Sequence, residues 1–190
     1  MERHFRIFKP YGYLSQFITN QRTRRNKKLL GELFDFPEGT MSIGRLDEDS
    51  EGLLLLTTNG KVSAEITGRK VEKEYFVQVD GKITPEAVAL LRDGVEIGLE
   101  GKKYMTKPGK AEIISSPPSF PPRQKPIRDE RHGPTSWIAV TIREGKFRQV
   151  KKMTAAVGFP TLRLVRVRIG KEMLGSMEMG EVQEVKEFIL

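Results

Sequence analysis

Residues 44–60 read Gly44-Arg45-Leu46-Asp47-Glu48-Asp49-Ser50-Glu51-Gly52-Leu53-Leu54-Leu55-Leu56-Thr57-Thr58-Asn59-Gly60, which places four carboxylates within five residues, 47–51. Three kinds of chemistry suit such a cluster. It could be an acidic turn that simply faces water. It could be a Mg²⁺ site shared by Asp47 and Asp49. It could also present a carboxylate nucleophile or base beside the guanidinium of Arg45.

The setting of this cluster is strongly basic. Lysine and arginine total 33 against 25 acidic residues, for a net charge of +8. An excess of this size favours a polyanionic partner, because cationic side chains on nucleic acid release condensed counterions. A surface made only to grip such a partner would not gather carboxylates, since each repels phosphate. The cations fall in clusters interleaved with apolar residues, as on a folded binding face. The candidate RNA contacts are Arg22, Arg24, Arg25, Lys27 and Lys28, then Arg123, Lys125, Arg128 and Arg131, then Lys146, Lys151 and Lys152.

Several classes of function fall away. The chain has no cysteine, which removes disulfides, thiolate catalysis and cysteine-based zinc sites. His4 and His132 are its two histidines and lie far apart without ligand spacing, so no metal is expected. Gly12 and Gly44 are isolated turn glycines with no phosphate-cradling pattern. The longest apolar run is Leu53 to Leu56, far below the ~18 residues of a membrane span. Met1-Glu2-Arg3-His4-Phe5 has no apolar core of a secretory signal. A cytoplasmic protein without a membrane partner is expected.

The elements that must carry these residues are short. Arg6 to Phe8 predicts a strand running into a turn at Lys9-Pro10-Tyr11-Gly12. Residues 13–18 look extended and residues 20–28 look like a polar loop. Met41 to Leu46 predicts a strand, as does Gly52 to Thr57, whose length favours a buried strand over a helix. Residues 61–67 predict a helix stopped by Gly68. In Glu74 to Asp80 the alternation of Tyr75, Val77 and Val79 predicts a strand. Thr84-Pro85-Glu86 opens a helix that stops near Gly94. Ala111–Ser115, Ser136–Arg143 and Leu162–Ile169 read as strands, and Arg148–Val157 as a helix. Residues 117–134 hold six prolines and must be irregular; with their basic charge they read as an RNA-contacting or a disordered loop. Strands and helices mix without regular βαβ alternation, so the class is α+β. At 190 residues the chain suits one domain or two small lobes.

Four segments in register resemble one family. Gly44-Arg45-Leu46-Asp47, followed by Gly52-Leu53-Leu54-Leu55-Leu56-Thr57, is similar to the catalytic motif of the pseudouridine synthases of the RsuA and RluA type. Lys9-Pro10-Tyr11-Gly12-Tyr13-Leu14-Ser15-Gln16 resembles their first motif, and Lys73-Glu74-Tyr75 their Lys-x-Tyr motif. Glu144-Gly145-Lys146-Phe147-Arg148-Gln149-Val150-Lys151-Lys152-Met153, with Leu164-Val165-Arg166, resembles the third motif and the strand after it. Pro134-Thr135-Ser136-Trp137 and Gly158 to Leu164 bring the resemblance nearest to a subgroup that acts on large-subunit (23S) ribosomal RNA. One departure is Phe147, which stands where relatives often carry asparagine or another polar residue.

The resemblance implies an α+β catalytic fold: a mixed, mainly antiparallel sheet in two lobes with a central active-site cleft. Residues 1–190 would form one catalytic domain. Many RsuA-type relatives carry an N-terminal S4-like RNA-binding domain; here the first motif begins at once, so RNA docking is expected from the catalytic domain itself. The reaction it implies converts a uridine of ribosomal RNA to pseudouridine. No electrons or atoms are lost, so no cofactor is needed and a monomer is expected to suffice. Asp47 would be the essential carboxylate, attacking C1′, adding to the base or taking a proton from C2′. Arg148 would be its guanidinium partner. Tyr75 would lie against the uracil and assist proton removal at C5. Leu164 would line the pocket floor. Arg45 would either fill the space left by a flipped base or pair with Asp47 or Asp49. Two alternatives remain in view: a non-catalytic RNA-binding or ribosome-assembly protein on the same fold, and a metal-dependent phosphodiester enzyme using Asp47 and Asp49.

Overall fold

The computed structural model describes residues 1–18 and 26–190. In chain order its elements are β1 (His4–Lys9), β2 (Tyr13–Leu14), β3 (Lys28–Leu29), β4 (Met41–Ile43), β5 (Glu51–Thr57), α1 (Gly60–Gly68), β6 (Lys73–Asp80), α2 (Pro85–Asp93), β7 (Glu96–Leu99), β8 (Lys102–Met105), β9 (Lys110–Ile114), β10 (Thr135–Ile142), α3 (Gln149–Ala156), β11 (Thr161–Ile169), β12 (Glu172–Met173) and β13 (Val182–Val185). They fall into two compact units, Met1–Val71 with Arg166–Leu190, and Glu72–Val165. The expected α+β class holds. Pairing is mainly antiparallel, with β2 and β3 running parallel.

The first unit is built on β5. All seven of its residues are buried, and Leu53, Leu54, Leu55 and Leu56 are fully so. Apolar residues at successive positions suit a strand covered on both faces. β1 pairs along it from His4↔Thr57 to Lys9↔Gly52, and β4 from Met41↔Thr57 to Ile43↔Leu55. On its other side β1 pairs with β13, so the two ends of the chain meet in one ladder. α1 begins where Asn59 Oδ1 accepts the amide of Lys61 at 2.9 Å, capping free N–H groups of the first turn.

In the second unit β6 pairs with β10, and β10 with β9. The expected alternation on β6 is seen: Tyr75, Val77 and Val79 are buried while their neighbours are half-buried. α2 begins at Thr84, whose hydroxyl accepts from Ala87 N at 3.2 Å, with Pro85 in the first turn. The β7–β8 hairpin turns through Glu100 (φ +50°) and Gly101 (φ +76°), the two left-handed residues a tight hairpin of this hand requires.

The proline-rich segment 117–134 is irregular, as expected, apart from a 3-10 turn at Glu130–His132. It is nevertheless anchored. Phe120 meets Phe76 and Trp137 at ring-centre distances of 6.2 and 5.9 Å. Arg163 lies over Phe120 and donates to Pro121 O at 2.7 Å. Arg128 pairs with Asp80.

Candidate active site

Asp47 stands on the short loop from β4 to β5, in the first unit. Ser50 N donates to Asp47 O at 3.0 Å, closing a tight turn over residues 47–50. Gly44, at φ +70°, lets the chain leave β4 and enter this turn. Leu46 is buried, which anchors the turn from beneath, and Asp47 itself is half-buried.

The segment after β1 clamps this turn. Ser15 Oγ accepts from Leu46 N at 2.9 Å and donates to Leu46 O at 2.6 Å. Gly12 N donates to Glu48 O at 2.8 Å. Lys9 is fully buried, and its ammonium donates to Pro10 O at 2.8 Å, Tyr13 O at 2.7 Å and Glu48 O at 3.4 Å. A buried charge must be met by such acceptors, and here they are backbone carbonyls that the ammonium holds together. From the strand side, Arg166 is buried and donates to Leu53 O at 2.8 Å. The geometry thus adds Lys9, Ser15 and Arg166 as residues that hold Asp47 in place. Their membership of the matching motifs was the available signal; nothing in their residue types predicted burial.

Arg45 is exposed and donates to Gln16 Oε1 at 3.4 Å. Glu48 forms an ion pair with Lys27 at 2.6 Å, so one of the expected RNA-binding lysines is joined to the acidic turn. Lys28 lies 5.4 Å from the Tyr13 ring centre. Glu51 is fully buried, unlike the half-exposed Asp47, Glu48 and Asp49. Arg22, Arg24 and Arg25 lie outside the described residues.

The other candidate residues belong to the second unit. Tyr75 is 9% exposed on β6 opposite Val140, and Leu164 is 4% exposed on β11, the strand beside β6. The expected helix from Arg148 is one residue shorter at each end. Arg148 is instead the half-buried residue before α3, with a left-handed backbone (φ +51°, ψ 33°). Left-handed non-glycine residues are uncommon and persist where surrounding bonds hold them. The holding bonds come from Glu144 and Gln149. Gln149 Oε1 accepts from Lys146 N at 3.2 Å, and Gln149 Nε2 donates to Glu144 Oε2 at 2.8 Å. Glu144 also accepts from Lys107 N at 3.0 Å and from the Tyr104 hydroxyl. Burial alone would raise the Glu144 carboxyl, but the bonds from Tyr104, Lys107 and Gln149 together hold it below the usual glutamate range. The same contact raises the Tyr104 phenol.

The expected cationic contacts of this unit divide by environment. Lys125 is exposed. Lys151 and Lys152 are half-buried on α3, with Lys152 donating to Gly98 O at 2.8 Å. Lys146 lies 5.3 Å from the Tyr104 ring centre. Arg123 bonds Lys125 O, Arg128 is turned to Asp80 and Pro134 O, and Arg131 pairs with Asp129 at 2.6 Å.

A half-exposed carboxylate on a clamped turn, with the four motif segments in order, defines a class of enzyme. Residues 4–156 match the sequence profile of the RNA pseudouridylate synthase family. The chain belongs to that family, whose reaction is the isomerisation of uridine to pseudouridine. It is 42% identical over 180 residues to the ribosomal large subunit pseudouridine synthase E of Vibrio parahaemolyticus, covering 94% of this chain and 71% of that protein. To the ribosomal large subunit pseudouridine synthase E of Xanthomonas axonopodis pv. citri it is 44% identical over 164 residues, covering 85% and 83%. A solved crystal structure of a pseudouridylate synthase superposes with a TM-score of 0.76 at 30% identity, covering 98% of this chain and 71% of the other. No helix among the described residues is long and apolar enough to cross a membrane.

Proposed function

We propose that this enzyme isomerises a specific uridine of large-subunit ribosomal RNA, with Asp47 as its essential carboxylate. The observation that carries the reading is the place of Asp47: half-exposed, on a turn whose flanking backbone is fixed by Ser15 and Lys9. A fixed carboxylate is what a reaction at a sugar–base bond requires, because misplacement by an ångström costs rate steeply. The names and identities of the Vibrio and Xanthomonas relatives support large-subunit rRNA as the substrate.

The reaction breaks the bond between N1 and C1′, turns the uracil in place and joins C5 to C1′. The proton lost from C5 is balanced by one gained at N1, so nothing is oxidised or reduced and no cofactor is required. Asp47 supplies the negative charge that acts on the sugar or base, and Arg148 supplies a guanidinium in support of the reaction. Tyr75 lies against the uracil and assists removal of the C5 proton, while Leu164 forms an apolar floor. Arg45 fills the stack from which the uridine is flipped. A monomer suffices, because all these residues come from one chain, and the cytoplasm is where ribosomal RNA of this kind is met.

The test is to map pseudouridines in ribosomal RNA from cells with and without the gene. Loss of one large-subunit pseudouridine on deletion, restored by the parent gene and not by an Asp47→Asn copy, is expected. An unchanged map would refute the reading. Tritium release from uridine-C5-labelled rRNA in excess EDTA separates an isomerase from a metal-dependent phosphodiester enzyme, which EDTA stops.

A further inference from the structure

We propose that Phe147 is a stacking platform for an unpaired base of the RNA substrate. The inference rests on the proposed function only in taking RNA as the ligand. Phe147 is 70% exposed, on the loop between β10 and α3. A single exposed apolar side chain is common and means little alone. Its frame is what gives it weight. The residue before it donates its amide to Gln149 Oε1, the residue after it is the left-handed Arg148, and Gln149 N donates back to Lys146 O at 3.1 Å. Gln149 is 3% exposed and tied to Glu144, which is tied in turn to Tyr104 and Lys107. The backbone on either side of Phe147 is therefore tied to the buried Gln149, and the exposed ring stands out from it.

The surroundings fit a nucleotide. Lys152 Nζ sits 5.1 Å from the Phe147 ring centre. Lys146, Arg148, Lys151 and Lys152 put four cations within seven residues of sequence. An aromatic face for a base, set among cations for the phosphates, is the combination by which single-stranded RNA is held. Stacking tolerates any base, so this contact would hold an unpaired nucleotide flanking the target without reading its identity.

Phe147→Trp gives a direct readout. The one native tryptophan, Trp137, is 8% exposed, so a change in emission on RNA binding reports on position 147. A short single-stranded oligouridylate should quench that emission, and an RNA duplex of equal length should not. Phe147→Leu, apolar but not aromatic, should keep the thermal midpoint of the parent and bind the single strand about tenfold more weakly. With an rRNA transcript as substrate, its KM should rise by more than its kcat falls. Unchanged emission with saturating oligouridylate, equal quenching by duplex, no binding of the single strand, or parent-like affinity in Phe147→Leu would each overturn the proposal. Turnover of the transcript by the parent tests the proposed function separately: turnover without quenching sinks only the stacking role, and quenching without turnover sinks only the isomerase reading.

Discussion

The hydroxyl of Ser15 and the backbone of Leu46 exchange two hydrogen bonds, 2.9 Å from Leu46 N and 2.6 Å to Leu46 O, across 31 residues of sequence. Leu46 immediately precedes Asp47, so this exchange fixes the approach to the acidic turn. Ser15→Ala removes both partners from a buried amide and carbonyl. It should cost about 1–3 kcal/mol of stability and lower kcat, with Ser15→Thr less affected. Urea unfolding and single-turnover tritium release measure the two effects. A stability equal to the parent's would show that water replaces the hydroxyl.

Asp47→Asn is nearly isosteric and removes the charge proposed to act on sugar or base. Turnover should fall by roughly four orders of magnitude, the scale seen when an acting carboxylate is lost, while RNA affinity holds or tightens. Asp49→Asn is the matched control and should keep most activity. Glu51 is fully buried and makes a poor control, since its replacement would disturb packing. Parent-like tritium release from Asp47→Asn would remove the catalytic assignment.

Gly52 carries φ +111°, and a Cβ placed there would lie 2.3 Å from Arg166 O. Gly52→Ala therefore combines a left-handed strain with a backbone overlap at the start of β5. A loss on the order of 4 kcal/mol is expected. Gly12, at φ +87° with open space about it, should tolerate alanine at lower cost. Thermal midpoints that fall equally in both variants would contradict the close approach of β5 and β11.

The lowered Glu144 carboxyl makes a pH prediction with a definite sign. A carboxyl depressed by folding contributes stability above the ordinary glutamate range and loses it as pH falls through the lowered folded value. Glu144→Gln should be less stable than the parent near neutrality, and the gap should close in acid. Tyr104→Phe should narrow the acid dependence, because its hydroxyl is one of the bonds responsible. A gap independent of pH would mean that the charge of Glu144 contributes nothing to folding.

Lys125→Glu and Lys151→Glu should each weaken binding to rRNA transcripts of any sequence. Each should also flatten the dependence of affinity on salt, by about one unit of log–log slope for every phosphate no longer neutralised. Filter binding over a salt series would show this. An unchanged slope would place the RNA face elsewhere.

The elements that depend on neighbouring residues were legible in the sequence. Asn59 and Thr84 cap α1 and α2 because capping is decided within three residues, and the alternation of Tyr75, Val77 and Val79 is a local period. The short leucine run bounded by glycine and asparagine favoured a strand over a helix by its length, and it forms β5. Asp47 and its turn were likewise visible, because the motif is contiguous.

The contacts that hold the turn were not legible. Lys9 reads as a surface cation, and its full burial follows only once carbonyls up to 39 residues away surround its ammonium. The need for glycine at position 52 comes from Arg166, and Arg166 meets Leu53 across 113 residues. The β7–β8 hairpin was missed because Glu100 takes a left-handed conformation that its residue type disfavours. Pairing of β1 with β13 joins segments from opposite ends of the chain. Local patterning determined most of the elements, and the resemblance of four short motifs determined which carboxylate to suspect. Burial and hydrogen bonding between distant segments belong to no window of sequence, and they decided how that carboxylate is held.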